Sequence, residues 1–264
     1  MIGVITNDAT NVFQSQVITG IKRVAQEKGY QVVVDSIAPE QAGYATRPIS
    51  LDLWSLSGVL VIANILSDTI LRDLYQSKKP LSLVSHRVSN TPIPSVIPDN
   101  AGGINALVDY LVGRLGKRRI AFIQGDMTQN DGLERTHAFK KQLMRHNMEI
   151  DEALFLRGDF VPETAHQSMR DFLAQGIPFD AVAGADFLMA IEALHILRDS
   201  GRHDVCVVGF GDGPEAAQTG LTTVGVDVEQ IGVRAARQLI GQIEGLPIRG
   251  VTLLSTNIVE RESC

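Results

Sequence analysis

Short runs of β-branched and aliphatic residues alternate with longer amphipathic segments from one end of this sequence to the other. The runs "IGVIT" (2–6), "YQVVVDS" (30–36), "GVLVIA" (58–63), "LSLVSH" (81–86), "RIAFIQG" (119–125), "FDAVAGA" (179–185) and "DVCVVGF" (204–210) predict strands. Several are apolar at every position rather than at alternate ones, the pattern of strands covered on both faces. Between them, apolar positions recur at spacings of three and four. Over 11–28, Phe13, Val17, Ile21, Val24 and Ala25 line one face of a helix, and Gly29 stops it. Repeated β-α alternation implies parallel strands joined by right-handed crossovers, hence an α/β fold with doubly wound sheets.

The elements are more numerous than one flavodoxin-sized sheet needs. Around "PIPSVIPDNAGG" (92–103) the chain runs extended through three prolines before a helix opens at about Asp99. A lobe boundary is placed there, because proline fixes φ and removes a donor that a helix or sheet interior would require. At 264 residues the chain is long enough for two lobes, and 44% hydrophobic content supplies a buried core.

Charge narrows the partners. The 24 Lys and Arg residues against 30 Asp and Glu give a net charge of −6, with no block of like charges. The richest basic cluster, Arg114 with Lys117, Arg118 and Arg119, falls between a helix and a strand and reads as a solvated loop, so this sequence offers no nucleic-acid-binding face. The two cysteines, Cys206 inside an apolar run and Cys264 at the last position, form neither a disulfide framework nor a metal-ligand spacing, and Cys206 reads as a small core residue. The opening "MIGVITNDAT" lacks the charged-then-apolar order of a secretion signal, and no apolar stretch is long enough for a membrane span. A cytoplasmic location without membrane association is expected.

Gly209-x-Gly211-x-Gly213 at a strand end looks like a dinucleotide loop, but that loop needs a glycine at its sixth position, which here is Pro214. No phosphate-binding loop ending in Gly-Lys and no nucleophile elbow is present. Glu134/His137, Glu163/His166 and Glu192/His195 each place a carboxylate and an imidazole on one helix face, yet an alternating chain offers no bundle to assemble them into a metal site. No cofactor, metal or catalytic group is expected. What remains is polar and aromatic residues at the carboxyl ends of strands, where open α/β sheets place their ligands. These are Asn7, Asp8, Asn11 and Phe13 after the first strand, Ser85, His86 and Arg87 after the fourth, then Asp126, Arg135, Asp186 and Asp212. Carboxylates and amides pair with hydroxyls while an aromatic face covers the apolar side of a pyranose, so a small polar ligand such as a sugar suits this set.

In order along the chain, "IGVITNDATNVFQSQVITGI", "DNAGGINALVDYLVGRLGKRRIAFIQG", "ERTHAF", "FDAVAGADFLMAIEAL", "DVCVVGFGD", "LTTVGVDVEQIGVRAARQLI" and the terminal "VERESC" resemble the effector-binding core of the LacI/GalR family of bacterial regulators, nearly end to end. The resemblance implies a periplasmic-binding-protein-like fold of two doubly wound parallel-sheet lobes joined by three crossovers. The N-terminal lobe would hold 1–98 and 227–246, and the C-terminal lobe 99–226 and 247–264. It further implies an effector cleft between the lobes, hinge closure on binding and homodimerisation. DNA would be read only through an N-terminal helix-turn-helix headpiece, which does not precede the first strand of this sequence. "DNAGG", "GDGPEA" and "RESC" also resemble same-fold sensor domains of histidine kinases and diguanylate cyclases. An exported solute-binding protein and an enzyme are the remaining readings.

Carried over position by position, the resemblance makes Asp8, Asn11, Phe13, Gln14, His86, Arg135, Phe160, Asp186 and Asp212 the ligand-binding candidates. Arg135 falls at the family's hydroxyl- or carboxylate-binding arginine, Phe160 at a stacking aromatic and Asp186 at a polar anchor. Four departures bear on the ligand. Val12 and Gln14 replace the proline and second phenylalanine of the first loop, Ala185 replaces an asparagine, Gly211 replaces a ligand-facing aspartate, and Val226 replaces a glutamine or histidine. Each missing partner forfeits roughly 1–3 kcal/mol in a dry site. An ordinary hexose in the ordinary pose is therefore not expected, and calorimetry against common monosaccharide hexoses should find no micromolar binding.

Overall fold

A computed structural model describes residues 1–37, 51–53 and 55–264. In chain order the elements are β1 (Ile2–Thr6), α1 (Val12–Glu27), β2 (Val32–Ser36), β3 (Gly58–Ile62), α2 (Asp68–Gln76), β4 (Leu81–Val84), β5 (Ser95–Pro98), α3 (Asn100–Val108), β6 (Ile120–Gln124) and α4 (Asn130–Arg145). Then follow β7 (Phe155–Arg157), α5 (Pro162–Ala174), β8 (Ala181–Gly184), α6 (Phe187–Asp199), β9 (Cys206–Phe210), α7 (Pro214–Thr219), β10 (Thr222–Gly225), α8 (Val228–Ile243), β11 (Val251–Leu254) and β12 (Asn257–Val259). They form two compact units, Met1–Pro98 with Asp227–Leu254 and Asp99–Val226 with Ser255–Cys264, so the chain passes from one to the other three times.

The first unit is built on a six-stranded sheet of order β11-β5-β4-β3-β1-β2, all parallel. Its central strands β1, β3 and β4 are buried at every position, which is why they read as continuous apolar runs. Helices α1 and α8 lie against each other at backbone distance. A Cβ added at Gly20 would collide with the carbonyl oxygen of Glu229, and one at Gly232 with that of Val17. Each helix thus presents a glycine where the other's backbone passes, and Val17, Ile21, Ile231 and Leu239 are fully buried around them.

The second unit repeats the plan with the order β12-β10-β9-β8-β6-β7, in which β12 alone is antiparallel. Phe122 of β6 stacks on Phe139 of α4 with ring centroids 4.3 Å apart, and Phe155 of β7 meets both edge-on. This aromatic trio fixes the rotation of α4 and thereby the direction of Arg135, one turn before Phe139.

Two sequence expectations are corrected. Residues 247–264 do not all belong to the second unit: β11 pairs in parallel with β5, Val251 opposite Ser95, and closes the first sheet. Its exposed-and-half-buried alternation carries no continuous apolar signal, so neither it nor the short β5, β7, β10 and β12 is among the runs that predict strands. The second correction is Cys206, which is not a free core thiol. It forms a disulfide with Cys264, their Cα atoms 4.4 Å apart across a sequence separation of 58. Pairing with β10 brings the segment after β12 back beside β9, a juxtaposition that cysteine spacing does not carry. In the loop-entropy model such a ring stabilises by up to about 4 kcal/mol.

The glycine pair between α1 and α8 gives a direct test. Gly232→Ala should destabilise the protein by about 1–3 kcal/mol in urea unfolding, despite alanine's higher helix propensity, because the methyl group has only backbone to displace.

Candidate functional site

In the second unit, a buried ionic network forms around the strand ends. Arg135 is 7% exposed. Its Nε donates to Oδ1 of Asn100 at 2.8 Å, Nη1 to the carbonyl of Ala185 at 2.7 Å and Nη2 to Oδ2 of Asp131 at 3.4 Å. Asn100, itself 1% exposed, donates both amide hydrogens, to Asp131 and to Glu134. The guanidinium sits over the ring of Phe210 at 3.9 Å and that of Phe160 at 5.7 Å. A guanidinium carries five N–H donors, and among the described residues this network engages three of them.

Local sequence positions each member. Asp131 and Arg135 stand four apart on α4 and share a face. Asn100 opens α3, which Asp99 caps by accepting from the N–H of Gly102. Asp186 caps α6 through Oδ1, accepting from Leu188 and Met189, while its charge acts on Arg135. Burial pushes the Asp186 carboxyl up from the ordinary aspartate value, against the pull of Arg135 and the helix N–H groups. Burial likewise lowers the Arg135 guanidinium, opposed by Asp131, Asp186 and Glu134.

Phe160 follows β7 with φ +59°, directly after Asp159 at φ +56°. Two consecutive non-glycine residues in the left-handed region are strained by about 1–3 kcal/mol each. The ring lies against Gly125, where a Cβ would collide with it.

The Gly209-Gly211-Gly213 spacing is a bed for Phe187, the first residue of α6. Added Cβ atoms would stand 2.6 Å from Phe187 Cα at Gly209, 3.1 Å from Cδ1 at Gly211 and 3.2 Å from Cζ at Gly213. Gly211 also has φ +89°, a conformation that side-chain-bearing residues rarely adopt. Ala185 meets Arg135 through its backbone carbonyl, and its own side chain is fully buried.

Of the second-unit candidates, then, Arg135, Phe160 and Asp186 are brought together, whereas Asp212 is held by Arg261 at 2.9 Å. The arginine also donates to the carbonyl of Leu221 and to the hydroxyl of Thr223. Sequence reasoning missed Asn100, Asp131 and Phe210 as members of the cluster. The four-residue spacing of Asp131 and Arg135 was the available signal; Asn100 lies 35 residues away and carried none.

The first-unit candidates sit on local turns. Asp8 accepts from the N–H and hydroxyl of Thr10, which lowers its pKa below the ordinary value, and Asn11 caps α1 by accepting from Phe13 N–H. Phe13 is half-buried. Gln14 donates to Oδ1 of Asn7 at 2.8 Å, while its buried Oε1 has no hydrogen-bond partner among the described residues. His86 is 7% exposed and its Nε2 lies 3.0 Å from Oδ1 of Asp68 at the start of α2. His166 of the second Glu-x-x-His pair bonds Glu192 of the third, across α5 and α6, at 2.8 Å. Among the described residues no group of three His, Cys, Asp or Glu is placed to hold a metal, and no helix is long and apolar enough to cross a membrane.

Residues 108–264 match the family model of the periplasmic binding protein-like domain. The chain is 31% identical over 266 aligned residues to the HTH-type transcriptional regulator CelR of Thermobifida fusca, covering 95% of this chain and 76% of CelR. It is 26% identical over 269 residues to the lactose operon repressor of Escherichia coli (strain K12), covering 100% of this chain and 74% of the repressor. A solved complex of the transcriptional regulator CelR with cellobiose matches with a TM-score of 0.82 at 26% identity, over 100% of this chain and 84% of that one.

The glycine bed makes its own prediction. Gly211→Ala should lower stability by about 1–3 kcal/mol, since the methyl group meets both an unfavourable φ and the Phe187 ring. Differential scanning calorimetry checks it; an unchanged melting temperature would remove this explanation of the loop.

Proposed function

This chain belongs to the LacI/GalR family of transcriptional regulators, and we propose that it is the effector-binding and dimerisation core of such a regulator, sensing a small sugar-like molecule. The observation that carries this reading is the Arg135 cluster. A guanidinium is held rigidly by Asn100, Asp131 and the Ala185 carbonyl, stacked on Phe210, with donors left over at the carboxyl ends of the strands. Fixed donors beside an aromatic ring recognise a hydroxylated ring by its edge and its face. Arg135, Asp186 and Phe160 are the residues assigned to the effector.

Such a core works as a sensor without chemistry. An effector that prefers one of two conformations shifts their populations, and the coupling reaches DNA-binding headpieces through a pair of identical chains. DNA contact belongs to an N-terminal headpiece, the setting is the cytoplasm, and neither a cofactor nor catalysis enters the reading. Likeness to CelR, whose solved complex holds cellobiose, favours a β-linked oligosaccharide over a free hexose as the first probe.

A thermal-shift screen with cellobiose and related oligosaccharides tests the proposal. A true effector raises apparent stability by about 2.7 kcal/mol at a hundredfold excess over its dissociation constant. Arg135→Lys should abolish that shift, because a single ammonium cannot reproduce the forked donors. Absence of any shift across the panel would overturn the sugar-like assignment.

A further inference from the structure

The Cys206–Cys264 disulfide is not among the groups assigned to the effector, yet its surroundings give it reach. Cys206 begins β9 and is 4% exposed, whereas Cys264 is exposed. The segment between β12 and Cys264 is stitched across the ends of β9 and β10. Ser263 donates its N–H to Gly220 and its hydroxyl to Val207, and accepts from the N–H of Val207 and of Thr222. Arg261 exchanges bonds with the Thr222 hydroxyl, donates to the Leu221 carbonyl and holds Asp212 at 2.9 Å. Gly211 in turn donates its N–H to the carbonyl of Val224 at 2.8 Å. One covalent bond therefore closes a ring running from β9 through the Gly211–Asp212 loop and Arg261 back to β9.

We propose that Cys206 and Cys264 form a reversible redox-modification site that exchanges with a low-molecular-weight thiol such as glutathione, and that its state sets the order of residues 261–264 and of the loop bearing Gly211 and Asp212. The thiolate of the small thiol attacks Sγ of Cys264, the exposed residue of the pair. The protein S–S bond breaks, and Cys206 leaves as a thiolate and takes up a proton. A mixed disulfide remains on Cys264. A second small thiol attacks the small-molecule sulfur of that adduct, releasing Cys264 as a thiol and a small-molecule disulfide. Two small thiols are oxidised, and the protein disulfide gains two electrons and two protons. Once the bond is cut, the end segment is held by hydrogen bonds alone and opens more often than the sheet beneath it. Arg261 moves with it, and Asp212 loses its partner.

The test uses the full chain purified without reductant and needs no effector, so its failure is distinct from failure of the effector reading. In glutathione buffers of graded ratio, alkylation and mass spectrometry should show one transition between disulfide and dithiol, with any glutathione adduct on Cys264 and none on Cys206. On reduction, amide exchange should quicken at least tenfold over 209–213 and 261–264, while β1 and β3 keep their rates. The Cys206→Ser/Cys264→Ser double variant should show the reduced pattern in both buffers. Arg261→Gln, which keeps both cysteines, should loosen 209–213 in either redox state. Two free thiols in excess oxidised glutathione, or identical exchange over 209–213 in the two forms, would overturn the proposal.

Discussion

A positive charge buried among aromatic rings is the constraint on which the second unit depends. Arg135 can be removed from water only because its partners are already in place: an amide that uses both its hydrogens and its oxygen, a carboxylate one helical turn away, and a backbone carbonyl at the end of β8. Leaving such a charge unpaired costs about 3–5 kcal/mol. The elements that deliver these partners, α3, α4 and the β8–α6 turn, are thereby tied to one arrangement. Asp186 adds a second consequence. Its folded-state pKa is raised, so the native protein holds the proton more tightly than the unfolded chain. Its contribution to stability is therefore full below the ordinary aspartate value and is lost as pH rises through the raised one. The field of Arg135 opposes that loss and keeps the ionised form tolerable beside it.

Backbone conformation does the complementary work in the loop after β9. A carboxylate at position 211 would need a side chain where φ is +89° and where the ring of Phe187 already stands. Gly209, Gly211 and Gly213 are spaced at two residues because they follow a strand end and its extension past one ring, not because they cradle phosphate. The same logic operates between α1 and α8, where two glycines let helices meet at their carbonyls. In both places the absent side chain is a packing requirement, and the chemistry of the site is shaped by what that packing excludes.

The alternation of apolar runs and amphipathic segments made the α/β fold legible, since central parallel strands such as β1, β3 and β4 are buried on both faces and their sequences show it. Edge strands were not legible. β11 alternates exposed and half-buried positions over four residues, and its membership in the first sheet is decided by pairing with β5, a contact between segments far apart in sequence. The site divides along the same line. Arg135 and Asp186 follow β6 and β8 and could be named from position, whereas Phe160 was named only through the family resemblance. Asn100 could not, because its role exists only once α3 lies beside α4.

Long-range closure also explains the disulfide. An isolated cysteine inside an apolar run is most simply a small core residue, and nothing local to "DVCVVGF" says otherwise. The pairing is created by β12, the only antiparallel strand of its sheet, which turns the chain back along β10. Ser263 then replaces missing ladder partners at the ends of β9 and β10, and Arg261 does the same for Leu221 and Asp212. The last residues act as one more edge element, made of side chains as much as backbone. Because the Gly211–Asp212 loop leans on that element, a loop at the carboxyl edge of the sheet is braced by a residue some fifty positions further along the chain.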